Sequence, residues 1–123
     1  MNRVLVCGGR TYVDRARLFT VLGEIIGYAG HPDSPRLVVI HGGAAGADKL
    51  AGDFADYAGH RVEVYKADWE KHGKSAGPIR NQQMLDEGKP DLVIAFPGGA
   101  GTADMVRRAR KAGIRVREIP PCP

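Results

Sequence analysis

Three times in this sequence an apolar run ends in a pair of glycines. Arg3–Cys7 leads into Gly8-Gly9, Leu37–Ile40 into His41-Gly42-Gly43, and Leu92–Phe96 into Pro97-Gly98-Gly99. Glycine adds nothing to a core. It serves where backbone turns sharply or approaches other backbone or a ligand closely. The chain spends 17 of its 123 residues on glycine, and their grouping at the ends of apolar runs is the constraint that any fold must satisfy.

Helical patterns separate the runs. Leu18, Leu22, Ile25 and Ala29 recur at helical spacing, with Asp14 as N-cap and Gly30 as stop. Leu50, Phe54, Ala55 and Ala58 do the same before Gly59. Pro78 suits a first helical residue and Gly88 the position past a helix end, while Thr102 suits the cap of a last helix reaching Gly113. Val62–Tyr65 and Val116–Ile119 complete the strands, residues 31–35 read as a surface turn, and Ala67–Gly77 reads as a long polar loop carrying the single tryptophan, Trp69. Strand and helix alternate throughout. The pattern predicts an α/β fold, a single three-layer domain with a parallel, doubly wound five-stranded sheet of order 3-2-1-4-5. The domain is expected over residues 1–119, with 120–123 as a C-terminal tail. In such a sheet every strand-to-helix loop lies at the carboxyl edge, so the three glycine-rich loops converge where open α/β sheets bind ligands.

Composition narrows the function classes. Hydrophobic residues make up 43% and charged residues 26%, which excludes a disordered chain. The longest apolar runs fall far short of the roughly 20 residues that a bilayer requires, and Val4-Leu5-Val6 reads directly as a strand rather than a signal peptide. Cys7 and Cys122 lack zinc-ligand spacing and do not form a disulfide framework. A cytoplasmic setting without metal or cofactor is expected. Eighteen basic against fourteen acidic residues give a charge of +4, which suits an anionic partner. Arg107, Arg108, Arg110, Lys111, Arg115 and Arg117 crowd the C-terminal end, either as a solvated helix face or as a nucleic-acid surface.

Four segments carry candidate chemistry. In Pro97-Gly98-Gly99-Ala100-Gly101-Thr102 a strand ends, the backbone turns and a helix begins. Free N–H groups and the helix dipole then face a common point suited to phosphate, unless the glycines only let the helix pack closely. His41-Gly42-Gly43-Ala44-Ala45-Gly46-Ala47-Asp48 repeats the design. Asp48 there either accepts from ribose hydroxyls, holds an arginine or complements the helix dipole, and His41 reads mainly as structural. In Cys7-Gly8-Gly9-Arg10-Thr11, Arg10 is placed to fork onto phosphate, and Cys7 reads as a small buried hydrophobe without a base partner. This stretch is not the dinucleotide fingerprint. Arg80 and Asn81 read as first-turn residues of a helix, where a cation opposes the dipole and a bound anion would account for it. Trp69, with His72 and Lys74 in the same loop, either stacks on a base or pins the loop to the body.

These segments match known patterns. PGGAGT with the upstream RNQQM resembles the PGGxGTxxE and RKxxM motifs of the Lonely Guy proteins, phosphoribohydrolases within the SLOG superfamily of Rossmann-like domains. More closely, the whole chain resembles the YspA-like, cpYpsA-related branch, with VxxCGxRxYxD at Val4–Asp14, HGGAxGAD at His41–Asp48, ADWxxHGxxAGPIRNxxM at Ala67–Met84 and PGGxGTADM at Pro97–Met105. The resemblance implies a Rossmann-like fold and a nucleotide or nucleotide-derived phosphate as ligand, bound by Gly8, Gly9, Arg10, Thr11, Gly42, Gly43, Gly46, Asp48, Trp69, Arg80, Asn81, Pro97, Gly98, Gly99, Gly101 and Thr102. It also implies association as a homodimer or larger. Superfamily members cleave nucleoside monophosphates, sense ADP-ribose-like signals or bind single-stranded DNA in the DprA branch, so an N-glycosidic hydrolase and a nucleic-acid module are the alternatives. Arg80 matches the catalytic arginine of the Lonely Guy proteins, but their glutamate falls on Met105 here. Asp104 is the neighbouring carboxylate, expected to be turned about 100° away on the helix.

Overall fold

The computed structural model describes residues 2–30, 32–33 and 35–122. His31 and Ser34 of the expected surface turn lie outside the described residues. The elements are β1 (Arg3–Cys7), α1 (Arg15–Ile26), β2 (Val38–His41), α2 (Ala47–Ala58), β3 (Arg61–Val64), α3 (Trp69–His72) followed by a 3₁₀ turn (Gly73–Ser75), α4 (Ala76–Gly88), β4 (Leu92–Ala95), α5 (Ala100–Lys111) and β5 (Arg115–Glu118). The five strands lie in the order β3-β2-β1-β4-β5. All pairings are parallel, with Leu5 opposite both Ile40 and Val93.

The strand sequences follow their places in the sheet. Central β1 and β4 are apolar on both faces and buried, as a sheet covered on both sides requires. The edge strands β3 (RVEV) and β5 (RVRE) alternate charge with valine and remain partly exposed. Because successive side chains alternate faces, Val4, Val6, Val39 and Ile94 pack with Leu18, Leu22, Ala51 and Phe54 of α1 and α2. Leu5, Cys7, Ile40, Val93 and Ala95 pack on the other face with Met84 and Leu85 of α4 and Met105, Val106 and Ala109 of α5. The result is the expected three-layer, Rossmann-like arrangement, with β1 at the point where the strand order reverses.

Several boundaries differ from the sequence expectation. Helix α1 ends at Ile26, not before Gly30, because Gly27 supplies the positive φ of 68° that ends the helix. Pro78 is the third residue of α4 rather than its first. A missing N–H costs nothing anywhere in a first turn, so proline does not mark the start sharply. Gly88 lies inside α4, against Ile40, and Lys89 makes the left-handed exit at φ 47°. The N-cap of α5 is Gly99, and Thr102 is the third residue of that helix. The long polar loop contains α3, capped by the Asp68 carboxylate, which accepts from the Lys71 N–H at 3.1 Å. No described helix is long and apolar enough to cross a membrane.

Candidate functional site at the carboxyl edge

The loop after β1 ties its two neighbours together through backbone. The Gly9 N–H donates to Pro97 O at 2.9 Å, and the Gly9 carbonyl accepts from Ala47 N–H and Tyr12 N–H, both at 3.2 Å. These contacts leave no room for side chains. A Cβ on Gly46, which also holds φ 75°, would collide with the Gly9 and Arg10 carbonyls. One on Gly8 would meet the Ala47 Cβ at 2.6 Å. One on Gly98 would collide with the Thr102 hydroxyl. Gly99 and Gly101 are different, since among the described residues no atom beyond their own neighbours along the chain lies within 4 Å of where their Cβ atoms would be.

That open space belongs to a cleft of about 670 Å³ at the switch point, within the range of small-molecule sites. Of the residues singled out from the sequence, Gly8, Gly9, Arg10, Asp48, Trp69, Arg80, Asn81, Gly99, Gly101, Thr102 and Asp104 line it. Gly42, Gly43, Gly46, Pro97 and Gly98 shape the loops behind it, and Thr11 faces a neighbouring depression beside Pro121. The cleft also takes in Ala44, Lys74, Gly77, Met84 and Arg107.

Arg80 is not a first-turn cation. It is the fifth residue of α4 and half-buried, with Nη1 donating to Gly42 O at 2.7 Å and Nε to Asn81 Oδ1 at 3.2 Å. Burial lowers its pKa, and the nearby Asp48 carboxylate opposes that shift. Asp48 is buried, and its Oδ2 accepts from Gly42 N–H at 3.1 Å and Ala44 N–H at 3.2 Å. Desolvation raises its pKa, against the pull of those N–H groups and of Arg80. Asp48 thus orders its own loop through backbone N–H groups and acts on Arg80 through its charge, without a hydrogen bond or ion pair to it among the described residues. His41 is structural in the same sense, since Nδ1 accepts from Gly43 N–H at 3.0 Å and burial lowers its pKa. Burial pushes the Cys7 thiol up to about 12, in line with a hydrophobe and not a nucleophile.

Asn81 is buried and bridges two helices. Its Nδ2 donates to Gly101 O at 3.2 Å and to Asp104 Oδ2 at 3.0 Å, which fixes the start of α5 relative to α4. Position 105 does not reach the cleft. Met105 is buried among Leu5, Cys7 and Val93, and Asp104 takes the cleft-facing position. The sequence expectation had these two faces the wrong way round, because the phase of α5 is set by Met105, Val106 and Ala109 packing on the sheet. Arg107 donates to Asp104 Oδ1 at 2.5 Å and Arg108 Nε to its Oδ2 at 2.9 Å. Burial raises the Asp104 pKa, but Asn81 and the two arginines outweigh it and hold the carboxyl below its ordinary value. Arg107 and Arg108 are thus tied to Asp104, while Arg107, Arg110 and Lys111 remain exposed. Arg107 follows Asp104 by three residues, a same-face spacing that was readable in the sequence.

The fold and this edge define the class: a parallel α/β domain of Rossmann-like type, whose glycine-rich loops meet in one basic-rimmed cleft. The sequence pattern of the YspA, cpYpsA-related SLOG family (YAcAr) matches residues 2–72, and the chain belongs to that family. It is also similar to the Gene 61 protein of Mycobacterium phage D29, with 42% identity over 123 residues covering 94% of each chain. Family membership associates the chain, at a coarse level, with nucleotide-related ligands.

Proposed function

We propose that the cleft binds a nucleotide or nucleotide-derived phosphate, with the phosphate against the first turn of α5, and that the protein does not turn it over. One observation carries this reading. Gly99 and Gly101 line the cleft, and among the described residues no atom beyond their own neighbours along the chain lies within 4 Å of where their Cβ atoms would be. Gly99 is the N-cap of α5, but Gly101 lies inside the helix, where glycine costs about 1 kcal/mol relative to alanine, and it has no positive φ that would demand glycine. The first intrahelical bond runs from Ala103 N–H to Gly99 O, so the N–H groups of Ala100, Gly101 and Thr102 precede the ladder and are the donors an anion takes. Arg10, Lys74 and Arg80 line the same space.

Thermal melting against nucleotides, cyclic nucleotides and ADP-ribose derivatives tests this. A ligand at a hundred times its dissociation constant stabilises the native state by about 2.7 kcal/mol. Unchanged melting across the panel at millimolar concentration overturns the reading.

The alternative, N-glycosidic hydrolysis, draws support from the place of Asp104 in the cleft. Against it, two arginines and Asn81 already engage that carboxylate. Its charge is spent before an oxocarbenium-like ribose forms, and its low pKa leaves no proton to give. AMP and related monophosphates incubated with the protein are expected to release no free base. Robust release that Asp104→Asn abolishes would establish the hydrolase instead.

A further inference from the structure

Trp69 is the single tryptophan of the chain. It opens α3, is 48% exposed, and lines the cleft. The rim of its indole rests over the start of α4, where a Cβ on Gly77 would lie 3.5 Å from Cη2. Its face is covered by the Arg10 guanidinium, whose central carbon lies 5.4 Å from the ring centroid. Arg10 comes from the opposite wall, in the loop after β1, and also lines the cleft. Among the described residues its side chain makes no hydrogen bond or ion pair, so the ring face is the only partner for a group that carries five N–H donors.

A planar cation on an exposed indole is a weak contact. The same indole face offers more to a planar base, which any nucleobase supplies without regard to sequence. The freed guanidinium offers more to a phosphate, which it grips as a fork. Both gains arise from one movement. We infer that Trp69 is the platform for the base of the bound nucleotide, and that Arg10 leaves the indole face for the ligand phosphate as the base arrives. The inference rests on the nucleotide reading above. It makes the site selective for ligands that join a planar ring to a phosphate, over sugar phosphates and over inorganic phosphate.

The test is calorimetric titration with the four nucleoside 5'-monophosphates, adenosine and ribose 5-phosphate, with Trp69 fluorescence recorded in parallel. At least one monophosphate is expected to bind about tenfold or more tightly than ribose 5-phosphate. Its binding should change Trp69 emission, because the cation over the ring is replaced. Trp69→Ala should collapse the ratio of nucleotide to ribose 5-phosphate affinity toward one. Trp69→Phe, which keeps a ring face and guards against a folding defect, should retain most of it. Arg10→Met should lower the ratio of nucleotide to nucleoside affinity, since it removes the phosphate contact and uncovers the ring at once. Equal affinity for nucleotide and ribose 5-phosphate in the parent, or an unchanged ratio in Trp69→Ala, overturns the inference and leaves phosphate binding standing. Binding of none of these ligands overturns the nucleotide reading itself.

Discussion

The loop junction and the mouth of the cleft lie side by side and are built from the same residue type, yet glycine does opposite things in them. At the junction, Gly8, Gly46 and Gly98 are glycine because protein atoms occupy the space a side chain would need. At the mouth, Gly99 and Gly101 face empty space. The junction glycines are explained by the fold alone. Gly99 serves as the N-cap of α5, whereas Gly101 inside the helix is a cost to the fold with no packing return, which the proposed ligand would supply. Glycine content at a strand end therefore says little until one asks what each missing Cβ would have touched.

The largest effect that separates the two regions is at Gly46. Alanine there must hold φ 75° and displace the Gly9 and Arg10 carbonyls. Gly46→Ala is expected to cost about 3 kcal/mol, a fall in melting temperature of about 10 °C for a domain of this size. Calorimetry or a denaturant melt reads it directly. A loss below about 1 kcal/mol would mean that the junction yields easily and that the contrast with the mouth is false.

Arg80 stands between the regions, and its replacement should show both kinds of damage. Arg80→Met removes the donor to Gly42 O and leaves Asp48 buried without its nearby cation. A stability loss of about 1.5–3 kcal/mol follows from the lost charged hydrogen bond, together with weaker nucleotide binding. Adding Asp48→Asn to Arg80→Met should restore part of the stability, because the uncompensated charge is gone. If stability is unchanged in Arg80→Met, Arg80 contributes nothing to the fold and the link between the two regions is lost.

What the sequence made legible follows the same division. The parallel sheet, its order and the meeting of three loops were readable because apolar runs ending in Gly-Gly mark strands and turns without reference to the rest of the chain. The start of α4 was not, because a proline fits anywhere in a helix's first turn. Nor was the orientation of α5. Met105 and Asp104 are adjacent, and only the packing of Val106 and Ala109 on the sheet decides which of them faces the cleft. Asn81 was legible as a polar residue beside Arg80, but its bridge to Gly101 O depends on two helices meeting that are 20 residues apart in the chain.

At the mouth the sign of the stability effect should reverse. Gly101→Ala introduces no contact within 4 Å and replaces glycine in a helix, so it should stabilise the free protein by about 0.5–1 kcal/mol. The same methyl group enters the space assigned to phosphate, so nucleotide affinity should fall at least tenfold. Stability and affinity moving in opposite directions is the signature of a glycine kept for a ligand. A variant that is more stable and binds nucleotide as tightly as the parent would show that the mouth glycines are unused.

The smallest effect probes whether the junction is held by polar contacts as well as by close packing. His41 Nδ1 accepts from Gly43 N–H, which requires an unprotonated Nδ1. Burial lowers the His41 pKa in the folded protein, while Asp48, Asp53 and Asp56 pull the other way without overcoming it. A histidine whose folded pKa lies below its unfolded one binds fewer protons when native than when unfolded. Above the unfolded value, near pH 6.5, both states are neutral and its contribution is fully present. As pH falls through 6.5 the unfolded chain takes up a proton that the native state refuses, and stability declines until the folded pKa is passed. The slope stays under the single-proton ceiling of about 1.4 kcal/mol per pH unit. Asp48, with its raised pKa, acts in the opposite direction, its protonation favouring the native state at lower pH. Denaturant melts between pH 7.5 and 5 should therefore show a gentle loss in the parent that His41→Gln flattens. An identical slope in that variant would assign the loss to other groups and leave the junction held by its backbone contacts alone.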